Sequence, residues 1–267
     1  MCVFTLNTKY FVLVCYRPLH GSFVKLPLPF MKKALIIITL IITASTIALY
    51  MSPINYLLPG YHTYLYPPTH YENLLKNIHH NQVKMAVAYN RADSVRRDSV
   101  LQKTAGLMMS NVQQIFKYWY GTPWSMNGTT EVPGKGSIAC GYFVTTVLRD
   151  VGFKIRRTRL AQMPSESMIS ELVSPVNIRR YVNTSLPDFV TYVKSLGTGL
   201  YVVGLDTHTG FLICQNDKLF FIHASGAEPK CVIREDAENS AVLARSSYRV
   251  VGKLSADLEF IKKWYTL

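Results

Sequence analysis

Acidic residues are absent from the first 50 positions of this 267-residue chain, which carry only Lys9, Arg17, Lys25, Lys32 and Lys33 as charges. No internal repeat or low-complexity tract is visible, which excludes a solenoid. No dense basic tract is interleaved with aromatics, so no nucleic-acid partner is expected even though the formal charge is +13. His79-His80 has no companion at metal-ligand spacing, so neither a metal site nor a cofactor is expected. What is present is 49% apolar residues, enough for one good core and too few for several large domains.

The charge that remains is unevenly placed. Beyond residue 50 the chain has 24 cations against 16 acids, a moderate excess that suits anionic partners such as headgroups or acidic envelope polymers. From Met31 it reads Met-Lys-Lys and then an apolar run from Ala34 to Leu49 broken only by Thr and Ser. Lysines ahead of an apolar core mark an export signal or signal anchor, with everything past about Tyr50 outside the cytoplasm. No clean small-x-small cleavage site follows, and no Cys stands ready for lipid attachment, so an uncleaved anchor over residues 31–58 is favoured. Residues 1–30 make little sense upstream of such a segment; they are expected to be a non-native or disordered extension, with the true start at Met31. Residues 59–70, rich in Pro and Tyr, read as a linker, and residues 71–267 as one domain.

Within that domain helices come first and strands afterwards, an α+β order. Leu101, Ala105, Met108, Val112, Ile115, Phe116 and Trp119 recur at helical spacing, and the charged stretch 91–97 is either a solvated outer face or a break between two helices. A helix starts at Cys140 and stops at Gly152. Shorter helices are expected over Glu166–Val173 and Pro187–Leu196, with basic Arg179-Arg180 as exposed loop between them. Strands are expected over Gly199–Leu205, His208–Gln215, Lys218–Ala224, Lys230–Arg234 and Arg245–Leu254, then a helix over Ala256–Trp264.

Three cysteines lie past the amino-terminal region. Cys214 and Cys231 are either a pair or two buried thiols. Cys140 opens a helix, where free backbone N–H groups and the helix dipole favour a thiolate, so a reactive thiol of depressed pKa is expected there. Gly141 leaves the backbone open to a substrate oxyanion. If Asn216-Asp217 is a two-residue hairpin turn, Gln215 pairs with Lys218, and His208, Gly210, Leu212 and Cys214 share a face with Leu219, Phe221, His223 and Ser225. Both histidines then point the same way, on a face apolar enough to pack against the Cys140 helix. Cys140 as nucleophile, His208 as base and His223 as orienter make a thiol triad. Asp206 is a rival orienter, though a turn role suits it better.

The order of Tyr120-Gly-Thr-Pro-Trp124, Cys140-Gly-Tyr-Phe143, His208-Thr-Gly-Phe211 and Phe-Ile-His223-Ala-Ser resembles the NlpC-like cell-wall cysteine peptidases, from about Trp119 to the carboxyl terminus. The resemblance implies a papain-like α+β fold, with helices packed on a central antiparallel sheet. It also implies cleavage of amide bonds in peptidoglycan stem peptides by Cys140, His208 and His223. Trp124, Gly141, Tyr142 and Ser225 are the residues expected to face substrate. The chain departs from the family in Ala139 where an acid is usual, in Gly141-Tyr142 for Ser-Gly, in Trp124 for Tyr, and in a long segment between Cys140 and His208. Those departures leave room for an amidase or acyltransferase acting on another substrate. A membrane-anchored domain that binds cell wall without catalysis is the alternative outside enzymes.

Overall fold

The structure, a computed structural model, describes residues 2–7, 10–15, 28–51 and 67–265. The chain divides into two compact units, Met1–Asn55 and Tyr56–Leu267.

The first unit holds an antiparallel pair, β1 (Cys2–Asn7) and β2 (Tyr10–Cys15), and a 24-residue helix, α1 (Leu28–Met51). Both strands lie within residues 1–30, the expected extension. α1 covers the apolar run, and its side chains from Leu35 to Ile42 are largely exposed. Among the described residues no helix is long and apolar enough to cross a membrane. The later part of the expected anchor and most of the expected linker, residues 52–66, lie outside the described residues.

The second unit opens with α2 (Pro68–Arg91), whose Pro68 sits in the first turn where its missing N–H costs nothing. The helix therefore begins inside the segment expected to be linker. After a break at Ala92, Asp93 caps α3 (Ser94–Trp119) by accepting from the Arg96 N–H at 2.9 Å. Leu101, Met108, Val112, Ile115, Phe116 and Trp119 are its buried stripe. Then follow α4 (Cys140–Asp150), α5 (Arg157–Ala161) and α6 (Ser165–Leu172). Next come β3 (Ile178–Val182), α7 (Leu186–Ser195), β4 (Gly199–Leu205), β5 (Thr209–Gln215), β6 (Lys218–Ala224) and β7 (Val232–Asp236). α8 (Ala241–Arg245), β8 (Tyr248–Lys253) and α9 (Leu258–Lys263) close the chain.

The strands form one antiparallel sheet in the order β3-β8-β4-β5-β6-β7. β4 is buried along its whole length and β5 over six of its seven residues, because both faces of the sheet are covered. One face packs Phe211, Ile213 and Ile222 against Phe143, Val144 and Val147 of α4 and Phe116 of α3. The other packs Leu212, Cys214, Leu219 and Phe221 against Phe189, Val190 and Val193 of α7. The expectation that the His208 face packs against the Cys140 helix is corrected here: that face belongs to α7, and α4 lies on the opposite one. When both faces are apolar, period-2 alternation says which residues travel together but not which helix covers them.

Buried polar groups tie the helical layer. The Gln82 side-chain amide donates to the carbonyls of Gly152 and Trp264, joining α2 to the ends of α4 and of the chain. Gly152 has φ 113°, a backbone conformation that favours glycine, and a Cβ there would lie 2.9 Å from the Gln82 amide oxygen.

Candidate active site

The approach to Cys140 is built by the turn-rich segment 120–139. Gly121, at φ 77°, turns the chain out of α3, and Thr122 and Trp124 then bond to Val232 and Lys230 ahead of and into β7. Ile138 N–H donates to the Pro123 carbonyl and Ala139 N–H to that of Gly128, which folds the segment back on itself. Arg157 fastens it to α4: its guanidinium donates to the carbonyls of Thr129 and Thr130 at 2.9 and 3.0 Å and to the Thr146 hydroxyl at 2.7 Å, while lying over the Tyr142 ring. α4 therefore begins abruptly at Cys140, with extended Ala139 before it and no side-chain cap on its first N–H groups. Gly141 is forced by contact, since a Cβ there would sit 2.3 Å from the Ala161 carbonyl oxygen.

The Cys140 thiol is half-buried and unpaired. Burial pushes it above its ordinary value, against the pull of the Thr209, Gly141 and Cys140 N–H groups that face the sulfur. This differs from the expected depressed thiol, because burial outweighs the pull of the N–H groups that face the sulfur. His208 lies immediately before β5, and burial, helped by His223, holds it down at about 3. At neutral pH the resting pair is thiol and imidazole, both uncharged.

Behind His208 runs a chain of side chains. His208 Nε2 meets His223 Nδ1 at 2.7 Å with the rings nearly perpendicular. His223, fully buried and stacked on Phe221, meets Glu235 Oε1 through Nε2 at 3.2 Å. Glu235 accepts in turn from the Ser240 hydroxyl, which also caps α8. Burial works to raise Glu235, but the bonds from His223 and Ser240 hold its carboxyl below the usual range, so it is ionised near neutral pH.

An ionised carboxylate only accepts, which fixes both rings in sequence. His223 carries its proton on Nε2 and offers a lone pair on Nδ1. His208 then carries its proton on Nε2, and its Nδ1 is left as a base. Glu235 escaped the sequence reading because β7 was expected to end at Arg234. The observed register pairs Phe221 with Glu235 and His223 with Ile233, so a strand one residue longer puts Glu235 on the histidine face.

Cys140, Gly141, His208 and Thr209 line a common cavity of about 210 Å3, walled by Met163, Pro164, Met168 and Leu205. A larger cavity of about 430 Å3 lies beside α5, ringed by Lys154, Arg156, Arg159 and Lys263, and holds no nucleophile. Three other residues expected to face substrate do not line this cavity. Trp124 packs edge-on to Gly226, Tyr142 sits under Arg157 with its hydroxyl accepting from Gln162, and Ser225 spends its hydroxyl on the turn to Ala227. Asp206 accepts from Ser246, Ser247 and Tyr248, so it ties the 205–208 loop to β8 rather than orienting His208. Cys214 and Cys231 are both free and buried. Among the described residues no group of His, Cys, Asp and Glu is arranged to hold a metal ion.

No family model, curated protein or solved structure matches this chain.

Proposed function

We propose that this protein is a cysteine hydrolase of the NlpC-like, papain-type class that cleaves amide bonds, with peptidoglycan stem peptides as its substrate. One observation carries the reading: a thiol at an uncapped helix start lines the same cavity as His208, the outermost member of a tautomer-fixed histidine chain.

His208 Nδ1 takes the Cys140 proton as the sulfur bonds to the substrate carbonyl carbon. The N–H groups at the start of α4 receive the oxyanion. As the C–N bond breaks, His208 returns that proton to the departing nitrogen, leaving a thioester. Water then attacks the thioester, giving its proton through His208 to the sulfur as the C–S bond breaks. The imidazolium formed at each stage is stabilised through His223 by the Glu235 carboxylate. Because thiol and imidazole rest uncharged, the proton moves only when substrate fills the cavity.

The same proposal places the domain outside the cytoplasm of a bacterial cell envelope, with α1 associating with the membrane, although among the described residues no helix is long and apolar enough to cross it. Lys32 and Lys33 precede the apolar stretch, and the exposure of Leu35 to Ile42 leaves apolar surface that a bilayer would cover.

The test is incubation of the full chain and its Cys140→Ala variant with purified peptidoglycan, followed by mass analysis of what is released. New fragments from the parent alone are expected. A second reading, a cell-wall binding domain without catalysis, draws on the raised thiol and low histidine, which leave little thiolate at rest. It requires no fragments from either protein, an unreactive Cys140, and undiminished cell-wall binding by the variant.

A further inference from the structure

The loop Leu205-Asp206-Thr207-His208 separates two concavities. Cys140 lines one of them. The other, about 280 Å3, is lined by the same loop on one side and by Val242, Arg245 and Ser246 on the other. His208 lines both, and only the first holds the nucleophile. This asymmetry has a chemical meaning if the hydrolase reading holds, on which the present inference rests. Sulfur attacks from the Cys140 side, while the nitrogen that departs must be protonated by His208 and so leaves on the His208 side.

The second concavity therefore receives the departing amine, and its charges decide what that amine carries. Two charged groups face it. Asp206 already accepts from the Ser246 hydroxyl and from the Ser247 and Tyr248 N–H groups, which hold its carboxyl below the usual range and compensate its charge. Arg245 is exposed at the end of α8 and gives its Nε–H to the Ala241 carbonyl at 3.2 Å. Among the described residues no carboxylate pairs with its guanidinium. The concavity thus offers one uncompensated cation with the fork geometry that suits a carboxylate. Its apolar surface comes from Leu205 and Val242.

We propose that this concavity is the leaving-group subsite, and that Arg245 there binds a carboxylate on the residue that departs as the amine. The enzyme would then favour an amide whose amine side is a residue with a free α-carboxylate or a short acidic side chain. In the reaction the C–N bond breaks, the nitrogen takes the proton from His208, and the released amino acid or peptide leaves with its carboxylate still on Arg245.

The probe is an N-acetyl dipeptide library of L- and D-residues, each sequence made as free acid and as carboxamide, incubated with the full chain. Free acids should be cleaved with kcat/KM about 10- to 100-fold above their carboxamides, the range of one charge-assisted hydrogen-bond pair. In Arg245→Ala the ratio of acid to amide should fall towards one, and Arg245→Lys should keep part of it. Equal cleavage of both forms by the parent, or a preference that survives Arg245→Ala, overturns the subsite and leaves the hydrolase standing. Cleavage of neither form by a parent that still releases fragments from peptidoglycan overturns the subsite alone, and no cleavage of either form or of peptidoglycan overturns both.

Discussion

Glu235 decides more about Cys140 than any residue in contact with it, because its charge sets which nitrogen of each histidine is free. In Glu235→Gln the carboxamide can donate as well as accept, so both rings can flip their protons and His208 can present N–H to the thiol. Alkylation of Cys140 by iodoacetamide, read on its own tryptic peptide, should slow, by up to the ~10²–10⁴-fold that a positioned general base contributes. An unchanged rate would remove Glu235 from the relay. The same burial predicts a signature in stability. His208 titrates at about 3 folded and near 6.5 unfolded, so between those values the unfolded chain binds the extra proton. Stability is therefore lost as pH falls from 6.5 towards 3. Thermal melting across that window should fall more steeply in the parent than in His208→Gln, and parallel curves would contradict the burial argument.

Among the elements, the β5–β6 hairpin was legible from residues alone. Asn216 and Asp217 occupy positive φ, at 51° and 57°, as a two-residue turn demands, and Gln215 pairs with Lys218 as the alternation required. β3 was not legible, since Arg179 and Arg180 point to solvent on an edge strand where no apolar alternation survives. α5 and α8 are single turns set by their surroundings, too short for a periodic signal. Arg157 on α5 is the clearest case of a residue whose role only the fold reveals. It reads as one cation among 29, yet it clamps the turn that leads to Cys140. Arg157→Ala should loosen that turn, and limited trypsin digestion should then cut after exposed Lys135 faster than in the parent. Equal cutting rates would mean that the backbone bonds of Gly128, Ile138 and Ala139 hold the turn by themselves.

At the scale of the whole molecule, the sequence conveyed an α+β order of elements and singled out Cys140, His208 and His223, of which the fold puts Cys140 and His208 on one cavity and His223 against His208. Which layer each helix occupies, where the thiol sits on the pH scale, and how far the relay extends are properties of burial, which a linear pattern does not carry. The central claim is that Cys140 forms a covalent acyl intermediate that His208 helps to make and break. Its most direct measurement is acid quenching of the full chain during turnover with peptidoglycan peptides, followed by mass analysis of the peptide that contains Cys140. The account predicts an acyl adduct on Cys140 in the parent and none in His208→Ala, with no fragments from Cys140→Ala. Fragments released equally by Cys140→Ala would contradict it.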